Sequence, residues 1–250
     1  MAEQRRLVWD LPLRLFHWLL AVSIGLLWLT QKYGSNPVPG VDSIEWLQDY
    51  PAIAYATWLN VHMWLGYWVL GLIVFRVIWG FVGPKHARFT SFFPLPGRII
   101  AYIRAMAFGT ESKPVGHNPL GSMMVFLMLA LVGLQAVSGL FADDDIFTSG
   151  PYQTAVSGDT AEFFNGLHHT LFDYILIAIG LHVAAIIIYA VVLKQNLTGP
   201  MITGHKPAAL VPEQEAITSS QLIRAGIVIA VSIAAIWLLI GLAPEPSFDF

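Results

Sequence analysis

Residues 167–193 read LHHTLFDYILIAIGLHVAAIIIYAVVL, with histidines at positions 168, 169 and 182. The run is apolar and long enough to cross a bilayer as a helix. Strongly polar groups inside such a helix are costly and mark function by default. His168 and His182 are fourteen residues apart. At about 100° per residue they share one face, separated by about 21 Å along the axis, whereas His169 points about 140° away from His182. Two same-face imidazoles at that separation can each offer an axial ligand to a separate cofactor within one bilayer. The helix reads as half of a two-haem cage.

The rest of the chain agrees with a membrane setting. Of 250 residues, 56% are hydrophobic and 12% charged, and the mean hydropathy is +0.64. These values suit an integral membrane protein and exclude an ordinary soluble domain. The net charge of −3 and the scattered basic residues do not make a nucleic-acid surface. The absence of cysteine excludes disulfides, thiolate-ligated iron–sulfur clusters and thioether-linked haem, so any haem is held non-covalently. Basic residues precede the first apolar stretch without a small-residue cleavage site after it, which predicts a retained first span rather than a signal peptide.

Five stretches have membrane length: 13–30, 58–82, 120–141, 167–193 and 222–242. Residues 97–109 predict a short interfacial helix, with Ile99, Ile100, Ile103 and Met106 on one side. The predicted fold class is all-α and integral to the membrane. A four-helix haem-binding bundle fills residues 1–206, and residues 207–250 add a fifth transmembrane helix and a short outer tail.

Arg5, Arg6, Arg14, Arg76, Lys85, Arg88, Arg98, Arg104, Lys113, Lys194, Lys206 and Arg224 all fall on one side of the predicted spans; Lys32 falls on the other. The opposite loops hold Asp42, Glu45, Asp49, Asp143, Asp144, Asp145, Asp159 and Glu162. The positive-inside rule places the N-terminus in the cytoplasm and the C-terminus in the periplasm. Trp9 and Trp18 at the inner boundary, and Trp28, Trp58 and Trp64 at the outer one, read as aromatic belts.

Orientation fixes depth. His17 enters the first span from inside and His62 enters the second from outside, so depth pairs His17 with His182 and His62 with His168. Four neutral imidazoles, two at each level on facing helices, match bis-imidazole ligation of two b haems. Arg76 follows His62 by fourteen residues and so faces the same way at the inner level. It suits a haem propionate or, equally, snorkels to the interface. Gly66 and Gly80 repeat the interval, where small residues let a flat macrocycle or another helix approach closely, and they read as helix-packing positions before haem-specific ones. His169 has three open readings: a propionate contact, ligation in place of His168, or exposure to outer water. His117 lies in GHNPLG, where Asn118 predicts a cap and Pro119 the first helical position. It also lies on the side of an inner quinone, as does Arg14. His86 and His205 read as surface residues of basic loops.

The segments VWDLPLRLFHW (8–18, with Leu7 before them), HMWLGYWVLGLIVFRVIWGFVGPKHARF (62–89), GHNPLG (116–121) and the histidines of the fourth span resemble one family. It is the bacterial di-haem cytochrome b group that includes the b-type subunits of nickel–iron hydrogenases and the superoxide oxidase. The resemblance covers about residues 7–206. It implies a four-helix bundle with two b haems on His17, His62, His168 and His182. It also implies electron transfer between a periplasmic partner and the quinone pool of the bacterial cytoplasmic membrane. The fifth span has no counterpart in the shorter members.

The expected function is therefore a di-haem electron conduit with quinone as exchangeable substrate. Its expected partner is a hydrogenase-like subunit or a c-type cytochrome, docked on outer loops that carry Trp46, Tyr50, Tyr55 and Tyr152. A stand-alone superoxide:quinone oxidoreductase is the alternative, against which the acidic outer loops weigh. A histidine-lined transporter without haem ranks lowest, because such proteins show inverted repeats and broken midplane helices.

Overall fold

The structure is a computed structural model that describes residues 4–44, 48–110, 114–143 and 148–244. Glu45, Trp46, Lys113, Asp144, Asp145 and the tail beyond residue 244 lie outside the described residues. The fold is all-α apart from one antiparallel pair of three-residue strands, β1 (Arg5–Leu7) and β2 (His205–Pro207). The helices are α1 (Leu11–Tyr33), α2 (Pro51–Ala54), α3 (Trp58–Val82), α4 (Pro96–Ala107), α5 (Pro119–Ser138), α6 (Gly158–Val191), α7 (Thr198–Thr203) and α8 (Leu222–Gly241). Among the described residues α1, α3, α5, α6 and α8 are long and apolar enough to cross a membrane. Their outward side chains include Val22, Ile227 and Trp237, exposed by 59%, 61% and 76%. That much exposed apolar surface suits hydrocarbon as the solvent. The protein is integral to the membrane.

Local chemistry sets the helix ends. Asp10 caps α1 by accepting the Leu13 N–H at 2.9 Å. Thr57 and Asn60 exchange hydrogen bonds across the first turn of α3, a reciprocal box that satisfies otherwise orphaned N–H groups. Asn118 accepts the Gly121 N–H at 2.7 Å with Pro119 at the first position of α5, as its sequence predicts. Helix α6 starts nine residues before the apolar run, because the polar segment from Gly158 to Gly166 stays helical. Hydropathy marks the part of a helix in lipid, not where the helix begins.

The chain forms two compact units, each built from segments of the long helices. The first comprises residues 1–17, 73–132 and 173–232. In it β1 pairs with β2, Arg6 opposite Lys206, and Gly204 accepts the N–H groups of Val8 and Trp9 at 2.9 and 3.0 Å. Gly204 has φ +85°, and a Cβ there would lie 2.8 Å from the Trp9 carbonyl oxygen. Only glycine fits that position. Helix α4 presents Tyr102, buried, to the hydroxyl of Tyr189 at 3.1 Å, and Asn118 donates to the same hydroxyl at 2.8 Å. Ile100 and Ile103 point outward instead, so the packed face of α4 is centred on Tyr102 rather than on its isoleucines. The second unit comprises residues 18–72, 133–172 and 233–250. There the Trp68 indole donates to Ser23 at 3.0 Å, and the Tyr152 hydroxyl donates to the Leu239 carbonyl at 2.7 Å.

Candidate functional site

In the first unit the imidazoles of His17, on α1, and His182, on α6, oppose each other with ring centroids 6.3 Å apart. In the second unit His62, on α3, and His168, on α6, stand 6.2 Å apart. These separations can be compared with what a shared metal needs. A metal sits about 2.0–2.1 Å from an imidazole nitrogen, which itself lies about 1.1 Å from the ring centroid, so a metal between two opposed imidazoles spaces the centroids about 6.3 Å apart. Each pair fits an iron between its rings.

The second pair has matched supports. His62 Nδ1 lies 3.1 Å from the Leu27 carbonyl and 3.2 Å from Thr30 Oγ1. His168 Nδ1 lies 2.9 Å from the Gln135 carbonyl and 3.2 Å from Ser138 Oγ. In both, the hydroxyl also donates to that carbonyl, three residues before it. A carbonyl accepts but cannot donate, so Nδ1 carries the proton and Nε2 keeps its lone pair for a metal. Gly139 makes room for this arrangement, since a Cβ there would lie 2.9 Å from His168 Cε1. A Cβ at Gly66 would meet nothing within 4 Å, whereas one at Gly80 would overlap the Phe89 ring. Gly80 is thus a packing position and Gly66 is not.

Arg76 is 2% exposed, with its guanidinium carbon 4.5 Å from the centre of the Phe89 ring. Both terminal nitrogens are buried with no hydrogen-bond partner among the described residues. A guanidinium buried in this way does not snorkel, and its open donors are free for an oxyanion. Asp10 is 1% exposed and accepts the Trp79 indole N–H at 3.0 Å as well as the Leu13 N–H. Burial raises its carboxyl above the ordinary carboxylate range, against the opposing pull of those bonds and of Arg76.

His117 packs between Trp9 and Phe92, at centroid distances of 4.7 and 4.3 Å, with Nδ1 buried and without a hydrogen-bond partner among the described residues. Burial first, and then Arg76 and other nearby cations, lowers its pKa to about 3, so it is neutral at ordinary pH. Arg14 donates to the Ile202 carbonyl and keeps a buried Nε with no hydrogen-bond partner among the described residues. His169 is exposed, on the other side of α6 from the packed rings. Two expectations change. Trp9 is 6% exposed, inside this cluster rather than in an aromatic belt. His86 is also 6% exposed, bonding through Nε2 with the Glu215 carbonyl at 2.7 Å. Position beside a span marks Trp9, and a basic loop marks His86, as peripheral, but the two rings pack against each other at 6.1 Å in the same cluster.

Sequence reasoning missed Thr30, Ser138, Gly139, Asp10 and Trp79. For Asp10 the signal was present, since an acidic residue immediately before an apolar run is a helix-cap signature. The Thr30 and Ser138 supports become visible only once the imidazoles are paired.

A membrane-integral helical protein whose spans pair imidazoles in two places fits the class of membrane b-type cytochromes. The chain belongs to the prokaryotic cytochrome b561 family, which matches residues 8–204. It is similar to the probable Ni/Fe-hydrogenase B-type cytochrome subunit of Rhizobium leguminosarum bv. viciae, 26% identical over 80% of this chain and 87% of that one. The counterpart from Azotobacter vinelandii is 27% identical over the same shares. That of Escherichia coli K12 is 24% identical over 48% of this chain and 52% of the relative. No solved structure matches at comparable significance. The protein is thus a haem b carrier of electrons in a membrane, and α8 lies beyond the family match.

Proposed function

We propose that the chain holds two b haems, one between His17 and His182 and one between His62 and His168. They pass single electrons between a periplasmic redox subunit and the quinone pool. The observation that supports this most directly is the common spacing of the two imidazole pairs, 6.3 and 6.2 Å. Bound haem supplies reversible one-electron exchange at iron. The protein's own part is to fix ligands, charge and dryness. Leu27 and Gln135 hold the outer imidazoles in the ligating tautomer, and Arg76 offers its open donors to a propionate. His117 and Arg14, both with buried unpartnered nitrogens, are the groups available to a quinone carbonyl on the cytoplasmic side. The basic loops support an inner-membrane orientation with the N-terminus in the cytoplasm and the C-terminus in the periplasm.

The relatives named as hydrogenase subunits favour a hydrogenase-like partner over a c-type cytochrome, and a subunit role over a stand-alone superoxide oxidase. The test is haem per polypeptide in the purified protein, read from the reduced pyridine haemochrome. Two per chain is the expected result. One would dissolve one of the pairs, and none in folded protein would end the reading.

A further inference from the structure

Beyond the histidines, the first unit contains a cavity of about 720 Å³, within the size range of small-molecule sites. It is bounded by the last turns of α3, the following loop, residues 216–221 and α8. Its two ends differ in chemistry. Phe81, Val82, Ile227 and Val231 form apolar walls and are 64%, 39%, 61% and 51% exposed. Lys85, Arg88 and Arg224 form a cationic rim. The rim lies where α3 ends and α8 begins, so it marks the level at which apolar helix gives way to polar loop.

The rim has surplus positive charge. Among the described residues Glu215 alone forms an ion pair there, with Lys85 at 2.7 Å. The Arg224 guanidinium is fixed by donating to the Val82 carbonyl at 2.7 Å and to Gln221 at 2.8 Å. It therefore meets a ligand without losing side-chain freedom on binding. Arg88 makes no side-chain hydrogen bond to the described residues. Apolar walls within the hydrocarbon and cations at its boundary match an amphiphile with an anionic head. Basic pockets between membrane helices recognise lipid head groups in this way. A quinone is uncharged and gives no use for three cations.

We infer that this cavity binds an anionic phospholipid, its phosphate on Arg88 and Arg224 beside Lys85 and its acyl chains along α3 and α8. The fifth helix, beyond the family match, then serves to complete a lipid site.

The test is native mass spectrometry of the full-length, haem-loaded protein in detergent, titrated with phosphatidylglycerol or with phosphatidylcholine of the same acyl chains. Wild type should retain phosphatidylglycerol preferentially. Arg88→Gln with Arg224→Gln should weaken that lipid about fivefold per arginine, leaving phosphatidylcholine binding and the haem spectrum unchanged. Should loss of the Arg224 bond to Val82 disturb folding, Arg88→Gln alone carries the test through its own fivefold change. Equal retention of the two lipids, an unchanged preference in the variants, or a co-purifying quinone that excludes phosphatidylglycerol would overturn the assignment. Haem stoichiometry is read in the same spectra, so failure of the haem reading is seen separately.

Discussion

The carboxylate of Asp10 accepts the indole N–H of Trp79 at 3.0 Å, joining the start of α1 to the end of α3. Both side chains are sealed from solvent, at 1% and 0% exposure. Replacement of Asp10 by Ala removes a helix cap, worth about 1 kcal/mol, and strands a buried indole donor at a further cost of about 1–3 kcal/mol. Asp10→Asn keeps an acceptor and should cost less. Thermal inactivation of the two variants should rank them in that order. The pH sign follows from a carboxyl raised by burial. Its contribution is greatest below the ordinary carboxylate value and is lost as pH rises through the higher folded value. Asp10→Asn should therefore remove a fall in stability across that window.

The four histidines predict a pattern of cofactor loss rather than a single effect. His182→Ala or His17→Ala should remove one haem per chain and leave the other's spectrum, and His62→Ala or His168→Ala should do the reverse. The double variant His17→Ala with His182→Ala should lose no more haem than either alone. Loss of both haems from each single variant, with protein still folded, would contradict separate sites.

Arg76 tests the proposed His17–His182 site by charge. Its guanidinium is buried with open donors, and a nearby cation favours the reduced, less positive iron. Arg76→Gln should lower the midpoint potential of the haem at His17 and His182 by roughly 60 mV, the equivalent of about 1.4 kcal/mol for one electron. The second haem should shift much less. Redox titration resolves the two.

Gly139 offers a steric test of the His62–His168 pair. A methyl group there must come within 2.9 Å of His168 Cε1, and the ring cannot retreat without leaving the Gln135 carbonyl. If the proposed haem sits between His62 and His168, Gly139→Ala should lower its occupancy or alter its spectrum and leave a haem at His17 and His182 unchanged. An unaltered spectrum would show that α5 yields at this point.

His117 predicts an acid limb. Its folded pKa of about 3 lies below the ordinary imidazole value, so unfolded chain takes up a proton first as pH falls. The stability this provides is present above about pH 6.5 and is lost downward, by about 1 kcal/mol near pH 5.5. His117→Gln should flatten the stability profile between pH 6.5 and 5, measured with haem retained.

The sequence carried the long helices well because lipid demands uninterrupted apolar runs, and α3 begins and ends where its hydropathy does. The two pairings of histidines were likewise legible, since helical phase and depth are both countable. What escaped was chemistry that depends on one backbone meeting another. The carbonyls of Leu27 and Gln135 leave no mark in side-chain patterns, and Trp9 and His86 look peripheral until two distant segments close over them. Asp10 lay in plain view as a cap, but its second bond, to Trp79, spans 69 positions.

The pairing of Arg5–Leu7 with His205–Pro207 also bears on biosynthesis. A strand made among the first residues must wait for about 200 more before its partner exists, roughly 10–40 s at bacterial rates of translation. Through that interval the N-terminal segment stays unclasped, and the pocket around Trp9 and His117 cannot close. The order of the chain thus delays completion of the first unit until four of the long helices have been made.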